Sequence, residues 1–166
     1  QIGPAHDALS QARKLGEPDR ALTGAVLLAQ RDLREARRVL EEARARGDER
    51  KEVVGPLVQI LIEQGEIARA SAVALDIVES LSTEDARKMA QIAFEHRAYA
   101  WSARLYEALF DRQREADDAY DTARALALDG NRERAMEWLK KAVDAGFSDR
   151  ARAWSDAALE ALRTSS

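Results

Sequence analysis

The feature that most constrains this chain is a small residue returning to the same place on successive helices. In "LDGNRERAMEWLKKAVDAGF" (Leu128–Phe147) a Gly-Asn turn leads into Ala135, Leu139 and Ala142, spaced four and then three. That spacing draws one narrow stripe along a helix. The layout recurs as Ala36–Leu40–Ala43, Ala70–Ala74–Ile77 and Ser102–Tyr106–Leu109. The first residues of the stripes are 34, 32 and 33 positions apart. Twelve residues ahead of each stands a partner on a preceding apolar segment: Gly24, Val58, Ala90 and Ala123. Two antiparallel helices approach closely only where bulk is missing at their crossing. The spacing therefore predicts four helix pairs, with Gly24 facing Ala36, Val58 facing Ala70, Ala90 facing Ser102 and Ala123 facing Ala135.

Composition narrows the setting. A chain of 166 residues can bury a real core. With 46% hydrophobic and 34% charged residues it is too apolar for disorder and too charged for a bilayer span. The net charge of -4 gives no bulk attraction to nucleic acid or anionic lipid. Cysteine is absent, which excludes disulfides, thiolate metal sites and cysteine nucleophiles. It also favours a reducing, cytoplasmic location, although many exported proteins lack cysteine too. The sequence shows no signal peptide pattern, and its start at Gln1 without methionine is what an excised or processed piece would show.

A period near 34 is the length of a helix-turn-helix repeat. The stretches "LTGAVLLAQRDLREARRVLEEA", "LVQILIEQGEIARASAVALDIV" and "YDTARALALDGNRERAMEWLKKAV" resemble the tetratricopeptide repeat family, over residues 19–147. The resemblance implies an all-α, right-handed α-solenoid of about four repeats within one domain, 1–166. A partial leading repeat would occupy 1–18 and a capping helix 148–163. The sequence departs from the family in ending no repeat with proline. It also carries Val58 at a position where a smaller residue is usual. The third copy, "EHRAYAW", has no turn glycine. Gly55-Pro56 inside a first helix predicts a kink or a shortened helix.

The helix map places Pro4–Leu15 first. It then pairs Asp19–Gln30 with Leu33–Arg46, Glu52–Gln64 with Ile67–Ser80, Thr83–His96 with Tyr99–Asp111, and Glu115–Asp129 with Asn131–Ala145. Ser82 and Asp85 read as a capping box. Ser148 would cap a last helix, Asp149–Arg163, carrying Trp154, Ala158 and Leu162 on one face across the end of the stack. No stretch alternates with the period of a strand.

The search for chemistry finds little. His6 and His96 are the only histidines, and neither has a ligand partner at helical spacing. Asp117 and Asp121 lie one turn apart, but the spacing of a calcium loop is missing, so no metal or other cofactor is expected. No phosphate loop or hydrolase motif occurs, and the chain is not expected to be an enzyme. The arginine-rich run after Asp32 pairs Arg37 with Glu41 and Arg38 with Glu42, which reads as a solvated helix face rather than a nucleic-acid stripe. Trp101 and Trp138 are expected to be buried between repeats.

What remains is a surface. The resemblance implies that first helices line a concave groove. The groove positions would then be Gln59, Ile62 and Glu63 in one repeat, Arg87, Lys88, Gln91, Phe94 and Glu95 in the next, and Tyr120, Asp121, Arg124 and Leu128 in the last. Gln59, Gln91 and Arg124 would form a ladder suited to an extended peptide or a carboxylate. The expected partner-binding set is Gln59, Arg87, Lys88, Gln91, Phe94, Tyr120 and Arg124. Glu84, Glu95, Asp117 and Asp121 crowd the same region and could instead pair with the arginines. The lysine-asparagine clamp found in one subgroup is not carried over, because the asparagines are absent. The function expected is protein or peptide binding, without nucleic acid or membrane insertion. The alternative is a structural spacer, or a regulatory arm of a larger, possibly enzymatic, parent.

Overall fold

The computed structural model describes residues 19–164. The leading helix expected over Pro4–Leu15 lies outside them. Among the described residues there are ten α-helices, one short 3-10 turn and no strand. The first pair is α1 (Arg20–Ala29) and α2 (Leu33–Ala45), the second α3 (Lys51–Glu63) and α4 (Ile67–Asp76). The third is α5 (Thr83–Glu95) and α6 (Tyr99–Gln113), the fourth α7 (Ala116–Leu128) and α8 (Arg132–Asp144). A tail follows: α9 (Arg150–Ser155), the 3-10 turn Ala157–Leu159 and α10 (Glu160–Arg163). The chain divides into two compact units, Gln1–Val73 and Ala74–Ser166.

The backbone repeats with the period of the stripes. The turn inside each pair places one residue in the left-handed region: Arg31 (φ 61), Gly65 (φ 75), Arg97 (φ 61) and Gly130 (φ 83). These positions stand 34, 32 and 33 residues apart, the same three steps as the small residues. The "EHRAYAW" copy therefore makes its turn without glycine, with Arg97 in a conformation unfavourable for a residue with a Cβ. Four of the paired helices start on side-chain caps. Asp19, Asp32, Ser82 and Asn131 accept from the amides of Ala21, Glu35, Asp85 and Arg134.

The stripes are interior. Ala36, Leu40, Ala70, Ser102, Leu109, Ala135 and Ala142 are all fully buried. In the third pair the crossing is direct: the Ser102 hydroxyl donates to the Ala90 carbonyl at 2.9 Å. In the first pair the fit is offset by a turn. A Cβ added to Gly24 would lie 2.4 Å from Leu40 Cδ2, so Leu40, beyond Ala36, fills the space that glycine leaves. The second pair departs from small-on-small packing. Val58 is only half-buried, and α3 buries Val54, Leu57 and Leu61 instead. The helix is not shortened: it runs from Lys51 through Pro56 to Glu63. Gly55, with no Cβ to meet the proline ring, makes a helical residue before proline tolerable.

Two helix ends differ from expectation. α4 stops at Asp76, and tighter bonds such as Ser80 N–H to Ile77 O (2.8 Å) carry the chain to Leu81. β-branched Ile77 and Val78 weaken helix there. Arg112 braces this stretch, donating to Val78 O at 2.8 Å and Leu81 O at 3.1 Å. The expected single capping helix over 148–163 is broken at Asp156, which is extended (φ -71, ψ 115). Asp149 rather than Ser148 caps α9. Trp154 consequently faces solvent at 76% exposure, and Leu159 takes the buried place. Trp138 is buried as expected, edge-on to Phe110 at 5.4 Å. Trp101 is half-buried beneath Arg104.

Candidate functional site

In the second unit α5 and α7 carry most of the residues singled out for binding. On α5, helical spacing puts Arg87, Lys88, Gln91, Phe94 and Glu95 on one side. Lys88, Gln91 and Glu95 are exposed, and the Gln91 amide donates to Glu95 at 2.9 Å. Phe94 is half-buried, edge-on to Tyr99 at 5.4 Å, with the Arg124 guanidinium 4.7 Å over its ring. Lys88, Gln91 and Phe94 thus make a short accessible row.

The arginines are committed inward. Arg87 Nε and Nη2 donate to Asp118 at 2.9–3.2 Å, and the Asp118 side chain is only 2% exposed. Burial raises the Asp118 pKa even with Arg87 bonded to it. Arg124 donates from Nε to Asp156 at 2.7 Å and from Nη1 to Asp121 at 3.0 Å. Burial raises the Asp121 pKa as well. At Asp156 burial acts upwards too. The Tyr120 hydroxyl, the Ala158 amide and Arg124 outweigh it and hold the carboxyl below the usual range. The expected pairing with acids thus occurs at Asp121, and its other partners, Asp118 and Asp156, lie outside the acids singled out.

Tyr120 is a correction. It was expected as an anchor for a partner, and it is fully buried. Its ring stacks on Phe147 at 4.2 Å, nearly parallel at 9°, and its hydroxyl donates to Asp156 at 2.8 Å. Burial, with that bond next, raises its pKa. The tail covers it because the break at Asp156 turns that carboxylate onto Tyr120 and Arg124. Arg152, on α9, lies 4.6 Å over the Tyr120 ring and donates to Asp117 at 3.1 Å. Each of Asp117, Asp118 and Asp121 therefore faces an arginine. No group of three acidic or histidine side chains fit to hold a metal occurs among the described residues.

Gln59 belongs to the first unit, exposed on α3 and donating to Glu63 at 3.2 Å. That unit's polar face is likewise engaged. Arg37 joins Glu41 at 2.9 Å, as the sequence predicted, and also Glu66 and Gln64; Arg69 joins Glu41 at 2.9 Å. Sequence reasoning missed Asp156, Arg152 and Phe147. A signal for the ionic partners was present. Arg87 and Asp118 are 31 residues apart, and Arg124 and Asp156 are 32 apart. Opposite charges one repeat apart meet where consecutive repeats stack.

A tetratricopeptide repeat family model matches residues 27–92. Residues 27–92 are thus similar to tetratricopeptide repeats. The match takes in α2, the whole second pair and most of α5. No curated protein matches the chain. Similar solved structures include YrrB, a TPR protein with an unusual peptide-binding site, at 22% identity and a TM-score of 0.46, covering 81% of this chain and 71% of that one. The MamA RS-1 ArsTM double mutant aligns at 20% identity and 0.46, covering 79% and 78%. MamA 41-end from Desulfovibrio magneticus RS-1 aligns at 18% and 0.44, covering 88% and 78%. No helix among the described residues is long and apolar enough to cross a membrane.

Proposed function

We infer that this chain is a protein-interaction module rather than an enzyme, and that its second unit receives an extended peptide or a partner domain along α5 beside α7. The observation that carries the reading is the row of Lys88, Gln91 and Phe94. An ammonium, an amide able to donate and accept, and a half-buried aromatic ring lie together on one helix. The internal ion pairs of Arg87 and Arg124 keep the surrounding surface fixed. A pre-formed polar row beside an aromatic ring suits the backbone and one apolar side chain of a peptide. Arg87 and Arg124 border the row and shape it. Gln59 offers the corresponding amide on the first unit.

The family supports this class of function, since tetratricopeptide repeats generally serve as interaction scaffolds without catalysis. The experiment is a titration of the purified chain against an arrayed peptide library. It is repeated with Lys88→Ala/Gln91→Ala, which touches only exposed side chains and should leave stability within about 0.5 kcal/mol. Peptides that bind the intact chain and are lost to the double variant support the reading. No binder, or binders indifferent to both changes, refutes it and favours a spacer.

A further inference from the structure

The tail occupies a built seat in the second unit, and its grip is specific in kind. Arg152 lies over the stacked rings of Tyr120 and Phe147, at 4.6 and 5.8 Å, and donates to Asp117. Four residues on, just past the end of α9, the Asp156 carboxylate accepts from the Tyr120 hydroxyl at 2.8 Å and from Arg124 at 2.7 Å. Three residues further, Leu159 is buried in the unit's core. A cation, an anion and an apolar side chain thus meet acids and rings, a phenol with a guanidinium, and a hydrophobic pocket, in that order.

The same segment buries few side chains. Neither α9 nor α10 buries a residue, and Trp154 stands in solvent. Ala158 and Leu159 are its only buried side chains. Beyond them, Arg132 holds the Ala161 and Leu162 carbonyls, and Arg163 staples the tail to itself through Ala153 O and Asp156 O. By contrast, α7 beneath it buries eight residues. A segment with so little buried surface opens before the helices it rests on.

We propose that the tail is a displaceable strap, and that its seat on α7 and Phe147 takes a partner segment of the same chemistry: a basic residue, an acidic residue four positions later and a leucine three beyond that. This deepens the peptide-binding reading and rests on it. Lifting the strap uncovers Tyr120, Phe147 and Arg124 beside the open row at Lys88, Gln91 and Phe94, so a longer peptide can run from one to the other. The strap and the partner compete for Arg124 and the Tyr120 hydroxyl.

The test uses the full chain and a labelled peptide spanning residues 148–164, followed by fluorescence anisotropy. Arg152→Ala/Asp156→Ala removes both polar grips of the tail. Tyr120→Phe is the milder variant, keeping the stacked ring and removing the donor. A site closed nine-tenths of the time loses about tenfold in apparent affinity, so the double variant should bind the peptide at least about tenfold more tightly than the intact chain. Hydrogen exchange across 150–163 should quicken in both variants. A peptide carrying alanine at its arginine and aspartate positions should bind neither chain. Equal affinity for intact and variant chains, no binding by either, binding indifferent to the peptide's charges, or a tail whose protection does not change would each overturn the proposal. A library peptide that needs Lys88 and Gln91 but binds intact and released chains alike leaves the interaction reading standing and removes the strap. A tail peptide held only by the released chain, with no library binder, supports the strap and its seat and removes the open row at Lys88 and Gln91.

Discussion

Gly24→Ala is a small change that the packing turns into a large one. Inside a helix alanine is better than glycine by about 0.5–1 kcal/mol, so propensity alone predicts a gain. The first pair opposes it. The new methyl would sit 2.4 Å from Leu40 Cδ2 and 2.6 Å from Cγ, so the fully buried Leu40 must shift to admit it. Overpacking of this kind costs about 1–3 kcal/mol, leaving a net loss of about 0.5–2 kcal/mol. The assay is a double-mutant cycle in urea. Leu40→Ala alone costs about 2–5 kcal/mol as a cavity. In that background the methyl added at residue 24 has room, and Gly24→Ala should become stabilising by about 0.5–1 kcal/mol. The coupling between the sites is then about 1–3 kcal/mol. If Gly24→Ala shifts stability equally in both backgrounds, glycine is not at a contact line, and the argument from small residues fails for this pair.

Arg97→Gly should stabilise the chain by about 0.5–1 kcal/mol, because relief of a left-handed arginine outweighs the extra freedom of unfolded glycine; thermal melts check it. Arg87→Ala should destabilise by about 1–3 kcal/mol at neutral pH, since it strands the buried Asp118 carboxylate, and the loss should shrink in acid as Asp118 protonates. Equal losses at pH 4 and pH 7 would contradict that assignment. Asp156 is held below its ordinary 3.8, so its contribution is full above that value and is lost as the pH falls through its lower folded pKa. The stability difference between the natural chain and Asp156→Asn should therefore be constant from neutral pH to about 4 and vanish below.

The repeat was legible because it is written in small residues. Ala36, Ala70, Ser102 and Ala135 mark a buried line whatever surrounds them, and the left-handed residues at 31, 65, 97 and 130 keep the same step. Arg97 was not legible as a turn residue, since its conformation is imposed by the helices on either side. The break at Asp156 was also hidden. An aspartate in an amphipathic run reads as one more polar position, and only its fit against Tyr120 and Arg124 makes leaving the helix favourable. Periodicity placed Tyr120 on a face but could not say that the chain's own tail would cover it. The ion pairs of Arg87 and Arg124 were only partly legible: Asp121 stood among the nearby acids, but Asp118 and Asp156 lie 31 and 32 residues from their arginines, on other segments.

The most direct measurement is a hydrogen-exchange footprint of the chain with a peptide selected from the library. The account predicts slowed exchange concentrated in α5 from Arg87 to Glu95 and in α7 around Tyr120 to Arg124. It predicts faster exchange in the tail from Arg150 to Arg163 as the strap gives way. Protection confined to the second helices, α6 and α8, or a tail more protected in the complex than in the free chain, would contradict it.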